Sequence, residues 1–278
     1  MKTYLNLGCG TRFHPKWTNV DFVSLGPGVL SVDLRAGVPF EDETFDVVYH
    51  SHLLEHFPKS EAANFLKECC RVLKRGGVLR VAVPDLEGIA RAYLGAVSEA
   101  LSGKPEARQN YEWMLLELLD QTVRDKPGGE MQRYLQQSEV INENFVIRRI
   151  GVEGKNLINS TRTGTTVESA SSGSVGQHRI LRGLRRLPAA VKENFVRLLL
   201  RREYPLLQTA RFRSAGEIHQ WMYDRYSLPV ALQEAGFKDP HVVAADESQI
   251  PNWKDYHLDT EPDGTVYKPD SLFVEATK

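Results

Sequence analysis

Apolar residues in the first third of the chain come in short runs, each cut off by glycine, histidine or an acid. "TYLNLGCG" (Thr3 to Gly10) stops at two glycines, while "WTNVDF" (Trp17 to Phe22) and "GVLSVDL" (Gly28 to Leu34) each carry an aspartate at the end. "TFDVVYH" runs into a histidine cluster. Short apolar runs bounded by turn residues predict strands buried on both faces. The spacing changes in "KSEAANFLKECCRVLKRGG", where Ala62, Phe65, Leu66, Cys69, Val72 and Leu73 recur at helical intervals. Ser60 suits its N-cap, Lys74 and Arg75 its last turn, and Gly76-Gly77 its stop. "VLRVAVPD" is then a fifth strand. Strand, helix, strand with a crossover of this length predicts a parallel α/β sheet.

Beyond Asp85 the pattern is helical and broken by polar loops. "NYEWMLLELLDQTVRD" predicts an amphipathic helix, and the Ser/Thr/Gly-rich stretch from Ser160 to Gln177 predicts a loop. The core-like pattern then returns: "SLPVALQEAGF" as a short helix ending at Gly236, and "HVVAADES" and "SLFVEATK" as the last strands. The chain therefore divides into a core over residues 1–86, a helical insertion or lid over 87–216, and the last core strands over 217–278. An insertion beyond the carboxyl edge of an open α/β sheet lies where such sheets bind ligands.

Composition narrows the class. The 278 residues carry a net charge of -1, 41% hydrophobic and 26% charged residues, the profile of a soluble globular protein with no global pull toward nucleic acid. The three cysteines, Cys9, Cys69 and Cys70, make no even framework and read as reduced thiols of a cytoplasmic protein. No signal peptide or bilayer-spanning run is visible.

The candidate chemistry sits at the strand ends. Gly8 and Gly10 allow a ligand close to the backbone, Asp21 can accept two ribose hydroxyls, and Asp33 can accept from an amino group. Turn-forming aspartate explains each acid separately, but less well three strand ends in order. With "PFEDETFDVVYHSHLLEHF" and "ECCRVLKRGGVLRVAVPD", these residues resemble a class I S-adenosylmethionine-dependent methyltransferase of the small-molecule "type 11" group. The resemblance covers Thr3 to Asp85 and, weakly, the last strands. It implies a Rossmann-like α/β fold: a seven-stranded, mostly parallel sheet with the last strand antiparallel and a helical insertion after the fifth strand. It implies S-adenosylmethionine as cofactor, with Asn6, Gly8, Cys9, Gly10, Arg12, Asp21, Asp33, Leu34, His50 and Ser51 around it. Asn6 replaces the acid usual in the first motif, and Arg12 stands where a third glycine is usual.

Three of the chain's eight histidines fall in "DVVYHSHLLEH". The run is similar to the His-x-His-x-Asp-His motif of metallo-β-lactamase-like hydrolases, but it is one residue longer and Glu55 replaces the aspartate. His178, His219, His241 and His257 add no supporting pattern, so no metal ligands are assigned. His52, at the loop beyond the fourth strand, is the first candidate base or acceptor contact, with Asp85 the second. His56 reads as a packed helix residue. "HQWMYDRYS" offers His219, Tyr223, Asp224 and Arg225 to a substrate, against a plain helix with Trp221 and Met222 in the core. The basic segment 179–202 is either a lid helix with its apolar stripe on the core or a surface for an anionic membrane. The resulting expectation is O-methylation of a sugar hydroxyl in a glycan, glycolipid or glycosylated small molecule. The alternatives are methylation of a natural-product hydroxyl or amine, a non-catalytic cofactor-binding subunit, and a metal-dependent hydrolase. The oligomeric state is left open.

Overall fold

Seven strands form one sheet in the order β3-β2-β1-β4-β5-β7-β6 in the computed structural model, which describes residues 2–163 and 189–278. The strands are β1 (Tyr4–Leu7), β2 (Thr18–Asp21), β3 (Val29–Ser31), β4 (Phe45–Ser51), β5 (Leu73–Pro84), β6 (Lys238–Val243) and β7 (Ser271–Thr277). The first five pair in parallel, and β7 inserts between β5 and β6 antiparallel to both. Parallel strands with both faces covered must be apolar throughout, which is why Leu5, Leu7, Val48, Leu79 and Val81 are fully buried.

Helix α1 (Lys59–Val72) packs Phe65, Leu66 and Cys69 against one face with α8 (Ser227–Glu234), which brings Leu228 and Leu232. Its end differs from the expected one. Lys74 to Gly77 belong to β5, because Leu73 already pairs with Phe45 across a register shift. Lys74 then meets Asp46 at 2.9 Å rather than capping the helix.

A second core lies among α2 (Leu86–Leu101), α3 (Ala107–Val123), α4 (Gly129–Leu135) and α5 (Glu143–Thr163), where Ile89, Trp113, Met114, Leu135, Val146 and Ile158 are buried together. Helix α5 kinks at Gly151 (φ +64°), where a side chain would meet the Tyr267 carbonyl at 2.4 Å. Helices α6 (Ala189–Leu200) and α7 (Tyr204–Arg213) follow. Phe195, Leu198 and Leu199 on α6 face solvent, so the apolar stripe expected on the core is exposed. Most of the predicted loop 160–177 and residues 179–188 lie outside the described residues. "HQWMYDRYS" is not a helix: Trp221 is exposed, while His219 and Tyr223 are buried, Tyr223 bridging Asp85 as a short parallel pair. Among the described residues, no helix is long and apolar enough to cross a membrane.

The opposite face of the sheet is closed by the segment between β6 and β7, and one cation fastens it. Arg80 is fully buried on β5. It donates to Asp259 at 2.8 Å, to Glu275 at 2.9 Å, and to the carbonyls of Ala244, Ala245 and Glu247 at 3.0, 3.0 and 2.7 Å. Trp253 covers the guanidinium at 4.4 Å, and Tyr49 donates to Asp259 at 2.5 Å. A buried charge is tolerable only when fully paired in this way. Arg80→Ala would leave two buried carboxylates without their cation. It should cost about 3–5 kcal/mol in urea denaturation at neutral pH; a loss under about 1 kcal/mol would show that the network does not hold this face.

Candidate functional site

A cavity of about 730 Å³ opens at the carboxyl ends of the strands and extends under the helices. Its first wall is the strand ends: Gly8 and Gly10 after β1, Asp21 after β2, and Asp33 and Leu34 after β3. Gly8 has φ +65° and leaves no room for a side chain, since a Cβ would meet Leu53 at 2.9 Å. The loop is set by the acid beside it: the Gly10 N–H donates to Asp21 Oδ2 at 2.7 Å. Asp33 caps the turn Leu34–Ala36 and pairs with Arg35 at 2.9 Å.

Five residues expected at this wall do not line the cavity. Asn6 is buried beneath the loop, where its amide donates to the Arg12 carbonyl and to Asn19. Cys9 is buried, and its thiol is pushed up to about 12 by burial and the Asp21 charge. Arg12 turns away, because Glu261 at 2.7 Å, the carbonyls of His257 and Thr260, and the Tyr267 ring at 4.1 Å capture its guanidinium. His50 points into the sheet-helix interface against Phe65, and burial lowers its pKa to about 3. Ser51 is half-buried on β4, outside the cavity wall.

The second wall is polar and holds a histidine cluster. His52 follows β4 in a left-handed conformation (φ +50°), a strain a bulky residue rarely accepts without being held. Its Nε2 lies 2.8 Å from Ser271 Oγ, and its Nδ1 3.3 Å from Glu55. His56 ends the short 3-10 helix Leu54–His56, and its Nδ1 lies 3.1 Å from the Ile218 carbonyl. His219 returns from the insertion and stacks edge-on against His56 with ring centres 5.0 Å apart. Burial pushes all three imidazoles down and pushes the fully buried Glu55 carboxyl up, each toward its neutral form.

Other proposed site residues stand outside the cavity wall. Asp85 donates its backbone N–H to the Asp270 carbonyl, and its buried Oδ1 accepts no hydrogen bond among the described residues. Asp224 accepts from the backbone of Tyr226 and Ser227, and Arg225 pairs with Glu87 at 2.7 Å on the surface. The structure brings in residues that sequence reasoning missed: Gln121, Arg124, Glu153, Asn156, Tyr267, Lys268 and Asp270. Glu153 and Lys268 pair at 2.9 Å; burial opposes the Lys268 charge, but Glu153 holds its pKa above the ordinary range. Burial and the Glu117 charge raise Asp270 to about 7.

Residues 19–81 match the family described as "Methyltransferase domain". No curated protein matches the chain significantly. Among solved structures, a possible histamine N-methyltransferase of Thermotoga maritima is 11% identical over 100% of this chain and 83% of its own, with a TM-score of 0.39. An S-adenosylmethionine-dependent methyltransferase of Mesorhizobium loti is 14% identical over 100% and 91%, with a TM-score of 0.38. The [4+2]-cyclase SpnF is 24% identical over 30% of this chain, which spans only 38% of the cyclase, with a TM-score of 0.25. Likeness at this level says nothing about acceptor chemistry.

Asp270 gives the site a signature in stability. A carboxyl whose folded pKa is raised from ~4 to about 7 keeps a proton that the unfolded chain has lost, so stability falls as pH rises through that window. Asp270→Asn should remove this slope in urea denaturation between roughly pH 4 and pH 8. Parallel pH profiles for wild type and variant would contradict it.

Proposed function

We propose that this chain, a class I S-adenosylmethionine-dependent methyltransferase with a methyltransferase-domain match over residues 19–81 and a seven-stranded sheet, methylates a hydroxyl of a sugar in a glycan, glycolipid or glycosylated small molecule. The observation that carries this reading is the single cavity joining a glycine-and-acid strand-end wall to a buried wall of hydrogen-bonding side chains. A polyhydroxyl acceptor needs many donors and acceptors at once, which His52, Gln121, Arg124, Glu153, Asn156 and Lys268 supply. The strand-end residues fit the cofactor: Gly8 admits a close approach, Asp21 keeps Oδ1 toward a ribose with only a 3.3 Å contact from Val23 N–H, and Leu34 offers an apolar face. Bound there, the cofactor supplies an electrophilic methyl group on a sulfonium.

The chain then has two tasks: orienting the hydroxyl and receiving its proton. Orientation provides much of the acceleration when the electrophile is already strong. His52, with Nε2 on Ser271 and Nδ1 toward Glu55, borders the acceptor space and would receive the hydroxyl hydrogen bond by exchanging it for the Ser271 contact. Asp270, raised to about 7, is poised to take the proton near neutral pH. Helices α2 to α5 act as the lid that excludes water and covers the acceptor.

The exposed Phe195, Leu198 and Leu199 beside Arg197, Arg201 and Arg202 suit contact with an anionic membrane, where a glycolipid acceptor would be met. Three unpaired thiols suit the reducing cytoplasm.

Methyl-labelled cofactor offered with free sugars, glycolipids, simple alcohols and amines should label a sugar hydroxyl. Label in amines alone would overturn the acceptor assignment. His52→Ala should lower kcat by ~10²-fold or more at unchanged cofactor affinity, and unchanged turnover would remove His52 from the mechanism. Asp270→Asn should abolish the limb of the pH-rate profile near 7. Persistence of that limb would assign it to another group.

A further inference from the structure

We infer that Glu55, His56 and His219 form a site for one divalent transition-metal ion of the zinc class, with an open coordination position facing the cavity. The donor atoms of the three residues lie within 4.8 Å of one another. An ion at their centre would sit within about 3 Å of each, so side-chain movements of under about 1 Å would reach metal–ligand bonds of ~2 Å. Two imidazoles and one carboxylate are a donor set that zinc uses where it keeps a position for substrate.

The independent observation is Glu55 itself. Its carboxylate is fully buried, and among the described residues neither oxygen accepts a hydrogen bond. His52 Nδ1 at 3.3 Å lacks the alignment for one, and His219 Nε2 lies 4.0 Å from the same oxygen. Buried polar atoms are almost always satisfied, and those that are not call for an explanation such as a bound ion. A carboxylate held among imidazoles has a cation as its natural partner.

The surroundings are arranged as for ligands. The Ile218 carbonyl can only accept, so His56 Nδ1 carries the proton and Nε2 keeps its lone pair free. A metal-bound histidine donates its other N–H to a backbone carbonyl in this manner. The Glu55 carbonyl accepts from Gln220 N–H at 2.7 Å and Trp221 N–H at 3.2 Å, tying the turn that bears Glu55 and His56 to the extended segment after His219. Backbone hydrogen bonds thus hold together the two segments that carry the three ligands, and the Ile218 carbonyl orients the His56 ring. His56 and His219 line the cavity while Glu55 lies behind them, so the free side of the ion faces the space where an acceptor would lie. That an acceptor oxygen occupies this position rests on the methyl-transfer reading; the metal site does not.

The test uses the full chain, stripped with chelator and titrated with Zn²⁺ or Co²⁺, with S-adenosylhomocysteine binding measured in parallel. The expected result is one tightly bound ion per chain and a Co²⁺ absorption spectrum of a nitrogen- and oxygen-ligated site. Glu55→Gln, which keeps shape but not charge, and His219→Ala should each weaken binding beyond the ~10–100-fold typical of outer-layer partners. His52→Ala should fall within that range, and His14→Ala, outside the cavity, should leave affinity unchanged. Wild type that binds S-adenosylhomocysteine without stoichiometric metal would overturn the metal site alone. Metal binding indifferent to Glu55→Gln and His219→Ala would also overturn it. Metal bound without any cofactor binding would leave the site standing and sink the methyl-transfer reading.

Discussion

The cavity depends on how one buried carboxylate is housed. Glu55 joins the turn after β4 to the chain returning from the insertion: its carbonyl receives Gln220 and Trp221, and its side chain lies against His52 and His219. Burying a charge costs several kcal/mol unless partners replace the lost water. The molecule solves this problem fully on one face of the sheet, where Arg80 satisfies Asp259 and Glu275 and is itself surrounded by carbonyls. At the strand ends it leaves Glu55 among imidazoles that burial pushes toward their neutral form, with no hydrogen-bond donor to its side chain among the described residues. The first arrangement is that of a fastener. The second is that of a site that exchanges partners.

This contrast separates scaffold from chemistry. The aromatic and ionic layer around Arg80 and Trp253 fixes β7 between β5 and β6, and β7 in turn places Ser271 against His52. The loop before β7 delivers Tyr267, Lys268 and Asp270 to the cavity, and the kink at Gly151 lets α5 pass against the Tyr267 carbonyl with Glu153 in reach of Lys268. The polar wall of the cavity is therefore assembled from distant segments, each positioned by the sheet rather than by its neighbours in sequence.

That assembly explains what could be read from sequence. The strands, the parallel sheet and the strand-end glycines and acids follow from local runs whose period and punctuation are visible, while the antiparallel last strand is implied only by the family resemblance. Gly8, Gly10, Asp21, Asp33 and Leu34 all reach the cavity for that reason. Side-chain direction within a strand buried on both sides carries no such signal, so His50 could not be told from a cavity residue. Nearness in sequence misled at Arg12, which four acceptors near residues 257–261 draw away. Glu153, Lys268 and Asp270 are isolated charges in sequence, and only the fold shows that they are buried together. The histidine run reads differently for the same reason. It lacks a third metal ligand locally, and His219 arrives from the other end of the insertion.

S-adenosylmethionine is expected to bind the strand-end wall through Asp21, in the same cavity that holds the polar wall. Calorimetric titration of wild type and Asp21→Asn with S-adenosylmethionine addresses it directly. The account predicts one cofactor per wild-type chain and at least ~10-fold weaker binding in Asp21→Asn, the loss of ~1.4 kcal/mol expected for a charge-assisted hydrogen bond to the ribose. Wild type without binding, or equal affinity in the variant, would contradict it.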